Sequence, residues 1–251
     1  MNITGNTILV TGGNAGIGRA LAEALQAEGN RIIITGRRED TLKATATANP
    51  GMDWRVLDMA DAGAVAAFGA AVTKDYPALN VVINNAGIMV TEDWTADAVD
   101  LAVAEATIAT NLLGPIRLTA ALLPHLRRQP DATVITVSSG LAFVPLTITP
   151  TYNATKAAIH SWSQSLRHQL RGTTVGVIEI VPPAVATDLM PGHAANPNSM
   201  PLADFISETV EQLKAHPKGP ENRVKRVEFL RGAEARGDYE AVFGMLNDGA
   251  H

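Results

Sequence analysis

The chain has 251 residues, 46% of them hydrophobic and 18% charged, with a net charge of −5 and no cysteine. This is ordinary globular composition; the missing cysteines exclude disulfides, thiolate zinc sites and cysteine nucleophiles, and the acidic balance argues against a nucleic-acid partner, because phosphate binding needs a basic face. The opening MNITGNTILVTGG lacks the basic start and apolar core of a secretory signal, and no run approaches the roughly 18 apolar residues of a membrane span, so a cytoplasmic protein without membrane contact is expected.

Short β-branched runs alternate with longer helical patterns. NTILVTG (6–12) predicts a strand, and GIGRALAEALQAEG (16–29) a helix that Gly29 ends. RIIITG (31–36) predicts a strand, EDTLKATATA (39–48) a helix and WRVLD (54–58) a third strand. A helix over 61–76 opens on a capping aspartate, Asp61. LNVVINNAG (79–87) and ATVITVSS (132–139) are strands, with a long helical segment, about 97–128, between them. TYNATKAAIHSWSQSLRHQL (151–170) is a helix and TVGVIEIVPP (174–183) a strand. Residues 188–220 predict a loop around a helix near 201–215, and 221–247 a short edge segment with helices. Continuous apolar strands separated by helices predict an α/β fold, a doubly wound parallel sheet covered on both faces. One domain is expected over 1–251, with a substrate loop at 188–205 and a tail at 221–251.

The turn TGGNAGIG (11–18) joins the first strand to the first helix. Gly12 can take a tight turn closed to other residues, Gly16 lets a phosphate approach the backbone, and Gly18 lets the helix pack closely on the sheet. With Asn14 and Ile17 they are the expected contacts of a pyrophosphate at the helix N-terminus. NAD sites usually place an acid at the end of the second strand; here Gly36 is followed by Arg37 and Arg38. A guanidinium grips a 2′-phosphate that an acid repels, so NADP(H) is favoured over NAD(H), the alternative being a solvated arginine pair. Asp58 either accepts from the adenine amino group or caps the following turn.

Tyr152 and Lys156 stand four residues apart and share a helix face. A free phenol is a poor base at neutral pH, and a neighbouring cation is expected to lower its pKa. It could then pass a proton to or from an alcohol oxygen while hydride moves. Ser138 or Ser139 could hydrogen-bond the substrate oxygen. Asn111, a mediocre helix former inside a helix, could anchor a proton-relaying water.

The motifs Thr-Gly-x3-Gly-x-Gly (11–18), Asn-Asn-Ala-Gly (84–87), Asn111, Ser139 and Tyr-x-x-x-Lys (152–156) occur in the order seen in the short-chain dehydrogenase/reductase family, in its short form, which this chain resembles over about residues 4–190. The resemblance implies a Rossmann-type sheet of seven strands. It makes Tyr152 the acid/base, Ser139 the donor to substrate oxygen, Lys156 the binder of the nicotinamide ribose and Asn111 the relay anchor. It also implies that Asn85, Ala86 and Gly87 lie beside the cofactor, with Pro182, Val185 and Thr187 of PPAVATD at the nicotinamide. Two departures stand out. Pro182-Pro183 replaces the usual Pro-Gly, so either the backbone differs there or the family glycine needs no positive φ. The tail VKRVEFLRGAEARGDYEAVFGMLN replaces the usual Asp-Gly-Gly ending and resembles a bacterial subgroup named for a D-alanine-transfer operon oxidoreductase. A homodimer through the two long helices is expected, and the family's homotetramer is in doubt.

Met89, Phe143, Leu189 and Met190, with Ser139, are the expected substrate wall and suit an apolar carbonyl or alcohol. His193 either meets substrate or is a solvated loop residue. No metal is expected. The alternatives are a non-catalytic NADP-binding regulatory protein and a sugar-nucleotide epimerase or dehydratase, for which 188–251 leaves little room.

Overall fold

The computed structural model describes residues 1–248; residues 249–251, at the end of the tail, and the side chain of His193 lie outside the described residues. Strands β1 (Thr7–Thr11), β2 (Arg31–Gly36), β3 (Asp53–Val56), β4 (Leu79–Asn84), β5 (Ala132–Val137), β6 (Val175–Val181) and β7 (Glu221–Arg223) alternate with helices α1 (Gly16–Ala27), α2 (Glu39–Ala48), α3 (Ala62–Asp75), α4 (Leu101–Ile108), α5 (Gly114–Leu126), α6 (Pro150–Gln169) and α7 (Leu202–Ala215). Short helices α8 (Glu228–Arg231), α9 (Ala233–Arg236) and α10 (Tyr239–Asn247) follow β7. All seven strands are parallel, in the order β3-β2-β1-β4-β5-β6-β7. The order reverses at β1 and β4, where open sheets of this kind leave a crevice for ligands.

Successive strand residues point to opposite faces, and the core divides accordingly. Ile8, Val10, Ile32 and Ile34 pack with α1 and α7 through Leu21, Leu25 and Phe205. Leu9, Ile33, Val82 and Val134 pack with α3 and α5 through Val65, Val72, Leu118 and Leu122.

At the carboxyl ends one row of the second face turns polar. In register, Asn84 lies beside Thr136, Thr136 beside Glu179 and Glu179 beside Glu221. Each of the first three bonds to a covering helix: Asn84 to Thr119 (3.1 Å), Thr136 to Ser163 (2.8 Å) and Glu179 to His160 (2.8 Å). Buried polar groups need such partners, and here the partners knit α5 and α6 to the sheet just below the site.

The third strand stops at Val56, short of the predicted Asp58. The long helical segment begins at Leu101 rather than 97 and is interrupted at Ala109–Leu113 by a π-helical turn. Leu101–Leu126 is also long and apolar enough to cross a membrane, which corrects the expectation that no such run exists. Here its inner face, with Leu118 and Leu122, covers the sheet, as in the core helix of many globular proteins.

The tail docks on the segment between β5 and α6. Val144, Ala233 and Val242 form a small core with Leu230, Phe243 and Leu246 packed against it. Asn247 accepts from Thr147 N (2.7 Å) and donates to Pro145 O (3.1 Å) and Phe243 O (2.9 Å). Asn247→Ala is expected to lower stability by about 1–3 kcal/mol and to speed amide exchange across 239–247 while the sheet stays protected; exchange mass spectrometry checks both.

Candidate active site

The glycine-rich turn is built as its spacing requires. Gly12 (φ 66°) and Gly16 (φ 51°) occupy the left-handed region that favours glycine. A Cβ on Gly12 would stand 2.9 Å from Ala86 Cα, and one on Gly18 would stand 2.3 Å from Gly12 O. Thr11 Oγ1 accepts from the backbone N–H groups of Asn85 and Ala86 (3.0 Å each), and Asn85 Nδ2 donates to Thr11 O (3.0 Å). These bonds fasten the turn after β1 to the segment after β4. Thr187 packs against Gly16, 3.5 Å from where its Cβ would be. No side chain caps α1, which begins after Ala15, so its first N–H groups face the turn without a side-chain acceptor.

At the end of β2, Asn14 occupies the space a side chain at 36 would need: a Cβ on Gly36 would lie 2.4 Å from Asn14 Oδ1, and Asn14 Nδ2 donates to Thr41 (2.8 Å). Arg37 and Arg38 are exposed, and their guanidinium groups have no partner among the described residues. Asp58 Oδ1 accepts from Ala60 N (2.9 Å), capping the following turn, with the side chain exposed. Val185 is buried, and Gly140 N donates to Pro182 O (2.8 Å). Among the described residues no non-glycine has a positive φ, so Pro183 sits in ordinary backbone and needs no distortion.

The π turn presents Asn111 inward. Its Oδ1 accepts from Ile88 N (2.9 Å), and its Nδ2 donates to Ile88 O (2.8 Å) and Thr155 Oγ1 (3.4 Å). Helix α6 starts at Pro150, and Glu92 fixes its first turn by accepting from Thr151 N (3.0 Å) and Thr151 Oγ1 (2.8 Å). On this helix Tyr152 (6% exposed) is buried beside Ser139, whose hydroxyl favours its phenolate, and Ser139 caps the short helical turn at Gly140–Ala142 by accepting from Leu141 N (3.1 Å). Lys156 (6% exposed) donates from Nζ to Val137 O (2.8 Å), with that nitrogen 5.4 Å from the Tyr152 ring centroid. Ser138 instead turns to Ile180 O (3.4 Å), away from this group.

Burial pushes the Tyr152 phenol up to about 12, against a smaller lowering by the Ser139 hydrogen bond. The expected lowering by the cation does not prevail: burial dominates and the pKa rises. Loss of hydration disfavours the phenolate, and Lys156 is itself brought down to about 8 by burial, with Glu179 opposing.

Of the expected substrate wall, Met89 is buried, Met190 half-buried and Leu189 exposed. The Phe143 ring is held between His160 (centroids 4.7 Å, edge-on) and the Arg231 guanidinium (4.3 Å). Sequence reading gave no role to Thr11, Thr155 or Glu92. Thr11 opens the quoted glycine motif and could have been singled out there; Glu92 lies in an irregular loop with no local signal.

A turn shaped for close backbone approach, set beside a Ser–Tyr–Lys group at the same sheet edge, is the arrangement of an α/β oxidoreductase. The family model for short chain dehydrogenases matches residues 6–198, and the chain belongs to that family, an oxidoreductase acting between CH–OH and C=O groups. It is 40% identical to the uncharacterized oxidoreductase DltE of Bacillus subtilis (strain 168), over 98% of each chain. A short chain dehydrogenase from Burkholderia cenocepacia J2315 in complex with NADP superposes with a TM-score of 0.80 at 25% identity, over 98% of this chain and 99% of that one. A family member from Burkholderia phymatum in complex with NAD shares the fold, with a TM-score of 0.82 at 19% identity over 96% of each chain.

Spectrophotometric titration at 295 nm, wild type minus Tyr152→Phe, is expected to show no buried phenolate until well above pH 10. Ser139→Ala moves its appearance higher still, because that hydrogen bond favours the phenolate.

Proposed function

We propose that this chain is an NADP(H)-dependent reductase of apolar ketones or aldehydes, a single-domain cytoplasmic enzyme working as a homodimer. The observation that carries the reading is the adjacent Ser139–Tyr152 pair with buried Lys156, bonded to the end of β5, at the sheet edge that holds the glycine-rich turn. The dinucleotide fits the residues present. The uncapped α1 and the turn at Gly12, Gly16 and Gly18 would receive the pyrophosphate, and a larger side chain at Gly12 or Gly18 would collide with backbone. Thr187, Val185 and Pro182 would border the nicotinamide, and Lys156 would hold its ribose. Bound NADPH supplies the hydride.

The chain's own residues handle the proton. Ser139 Oγ and Tyr152 O–H donate to the carbonyl oxygen and orient it. As negative charge builds there, Tyr152 gives up its proton, since a developing alkoxide is a stronger base than even a phenolate made unfavourable by burial. A phenol held neutral is an acid in waiting, which supports the reductive direction. The same burial makes it a poor base for alcohol oxidation. Asn111 is fixed by the backbone N–H and C=O of Ile88 rather than turning freely.

The NADP preference rests on Arg37 and Arg38, whose guanidinium groups have no partner among the described residues, and on Gly36, whose space Asn14 occupies. The two solved relatives hold different dinucleotides, so the fold itself accommodates either. The dimer rests on an apolar groove between α4 and α6, lined by Ile108, Leu112, Pro150, Ala154 and Ala158, beside exposed Leu101 and Leu113.

Tyr152→Phe is expected to lower ketone reduction by ~10²–10⁴-fold while calorimetric NADPH binding is kept; retained turnover removes the mechanism, and a wild type that binds NADPH but reduces no ketone favours a purely cofactor-binding role. Arg37→Ala with Arg38→Ala should weaken NADPH by ~10–100-fold, the range of one or two charge-assisted hydrogen bonds, and leave NADH nearly unchanged. Equal losses for both dinucleotides would remove the arginine argument.

A further inference from the structure

The polar row beneath the site contains two carboxylates that the proposed reaction does not use, Glu179 and Glu221, and Glu179 is the fully buried one. Glu179 lies on β6 with its side chain fully buried, and His160 Nδ1 approaches its two carboxylate oxygens at 3.0 and 2.8 Å. A carboxylate in the apolar strand VGVIEIV loses several kcal/mol of hydration unless it is paired. Nothing in the packing demands it, since Val177, two residues earlier on the same face, is apolar core.

Tyr152, Lys156 and His160 follow one another at four-residue intervals on α6, so the residue that holds Glu179 is one turn from the lysine. The titratable and charged groups around Glu179 are Lys156, His160 and Arg167 from α6, Glu221 and Arg223 from β7, and Arg231 and Glu228 from α8; β5 places the uncharged Thr136 beside it. Most of the cations are committed elsewhere. Arg231 makes two bonds to Glu221 (3.0 and 3.1 Å), and Arg223 pairs with Glu228 (3.1 Å) and Glu221 (3.7 Å). Arg167 donates to the carbonyls of Val177 (2.9 Å) and Pro220 (2.7 Å). Lys156 has only the Val137 carbonyl and no carboxylate bonded to it among the described residues. His160, Glu179 and Glu221 also lie close enough to one another to hold a cation, but the Arg231 guanidinium already bonds to Glu221 there, so the cluster carries no metal proposal.

Resting on the reading of Lys156 and Tyr152 given above, we propose that Glu179, held by His160, is a positioning residue: its carboxylate is the buried counter-charge that keeps the Lys156 ammonium charged at the catalytic tyrosine. Its influence on Lys156 is upward, opposing the larger lowering by burial. Without it the lysine sheds its proton at lower pH, and the site loses the charge that would hold the ribose and favour the phenolate. His160 contributes by fixing the carboxylate against α6 and satisfying both of its oxygens.

The test uses the full chain labelled with [13Cε]lysine, with the Lys156 signal assigned by its absence in Lys156→Met. Glu179→Gln, which keeps shape and removes charge, is expected to lower the Lys156 titration midpoint by about one pH unit or more, a tenfold change in ionisation. The high-pH limb of kcat/KM for ketone reduction moves down with it. Glu179→Asp, which keeps the charge, stays within about half a unit of wild type. An unmoved midpoint in Glu179→Gln overturns the proposal, and so does a moved midpoint with an unmoved rate profile. Should Glu179→Gln not fold, the 13Cδ shift of Glu179 in the wild type decides: a carboxylate at pH 7 supports the proposal and a neutral acid overturns it. Failure of the underlying mechanism reads out separately, as undiminished turnover by Tyr152→Phe whatever Lys156 does.

Discussion

Lys156 donates from a buried ammonium to the carbonyl of Val137, the last residue of β5, and this bond ties α6 to the sheet where the crevice begins. A buried charge has to be compensated by fixed dipoles or counter-charges, because water cannot do it. The surrounding structure meets that need by layers. A strand-end carbonyl accepts the ammonium, the next register row carries the polar side chains Asn84, Thr136 and Glu179, and each of those is answered by a helix residue. The carboxyl edge is therefore rigid before any ligand arrives. Rigidity of this kind lets a catalytic group act without reorganising during the reaction.

The same dryness sets the phenol's behaviour. Desolvation outweighs the favourable effect of the Ser139 hydroxyl, so the tyrosine is held neutral. Spacing along a helix tells which groups share a face but not how much water reaches them, and water access decides which electrostatic effect wins. Reduction needs a neutral phenol at the start. The burial that spoils it as a base thus suits it as the proton donor, and the two observations support one direction of the proposed reaction.

Much of the fold was legible because β-branched runs and amphipathic stretches report burial directly. The strands over 31–36, 79–84 and 132–137 lie within their predicted ranges for this reason. The glycine turn was legible because a positive φ and a close approach each leave only glycine. The parts that were not legible depend on contacts distant in sequence. Nothing near Asn111 announces a π turn; it is a single extra residue in a helix, stabilised by the peptide of Ile88 and by Thr155. Asn247 meets Thr147 at a separation of 100 residues, and Glu92 meets α6 at 59. Glu179 did leave a local signal, a charge inside an apolar strand, but its meaning depends on His160 and on the register of β5, β6 and β7.

The divergent tail finds its reason in the segment between β5 and α6. That segment carries Ser139 at one end and leads into Tyr152 at the other, so its shape sets the geometry of the pair. It is gripped from outside at three points: Leu230 lies where a Cβ on Gly140 would reach, 2.8 Å away, Arg231 covers the ring of Phe143, and Asn247 holds Thr147 and Pro145. Every one of these grips comes from α8 or α10, the part of the chain that departs from the usual family ending. Arg231 also bonds to Glu221, so the tail reaches the charged cluster beneath Lys156 as well as the backbone beside Ser139. The loop over 186–199 is anchored differently. It is closed at its base by the Val185–Met200 bridge, and most of its described side chains face solvent. Under the proposed function, that exposed loop is the segment left to adapt to substrate, while the tail fixes the side of the cleft that carries Ser139 and Tyr152.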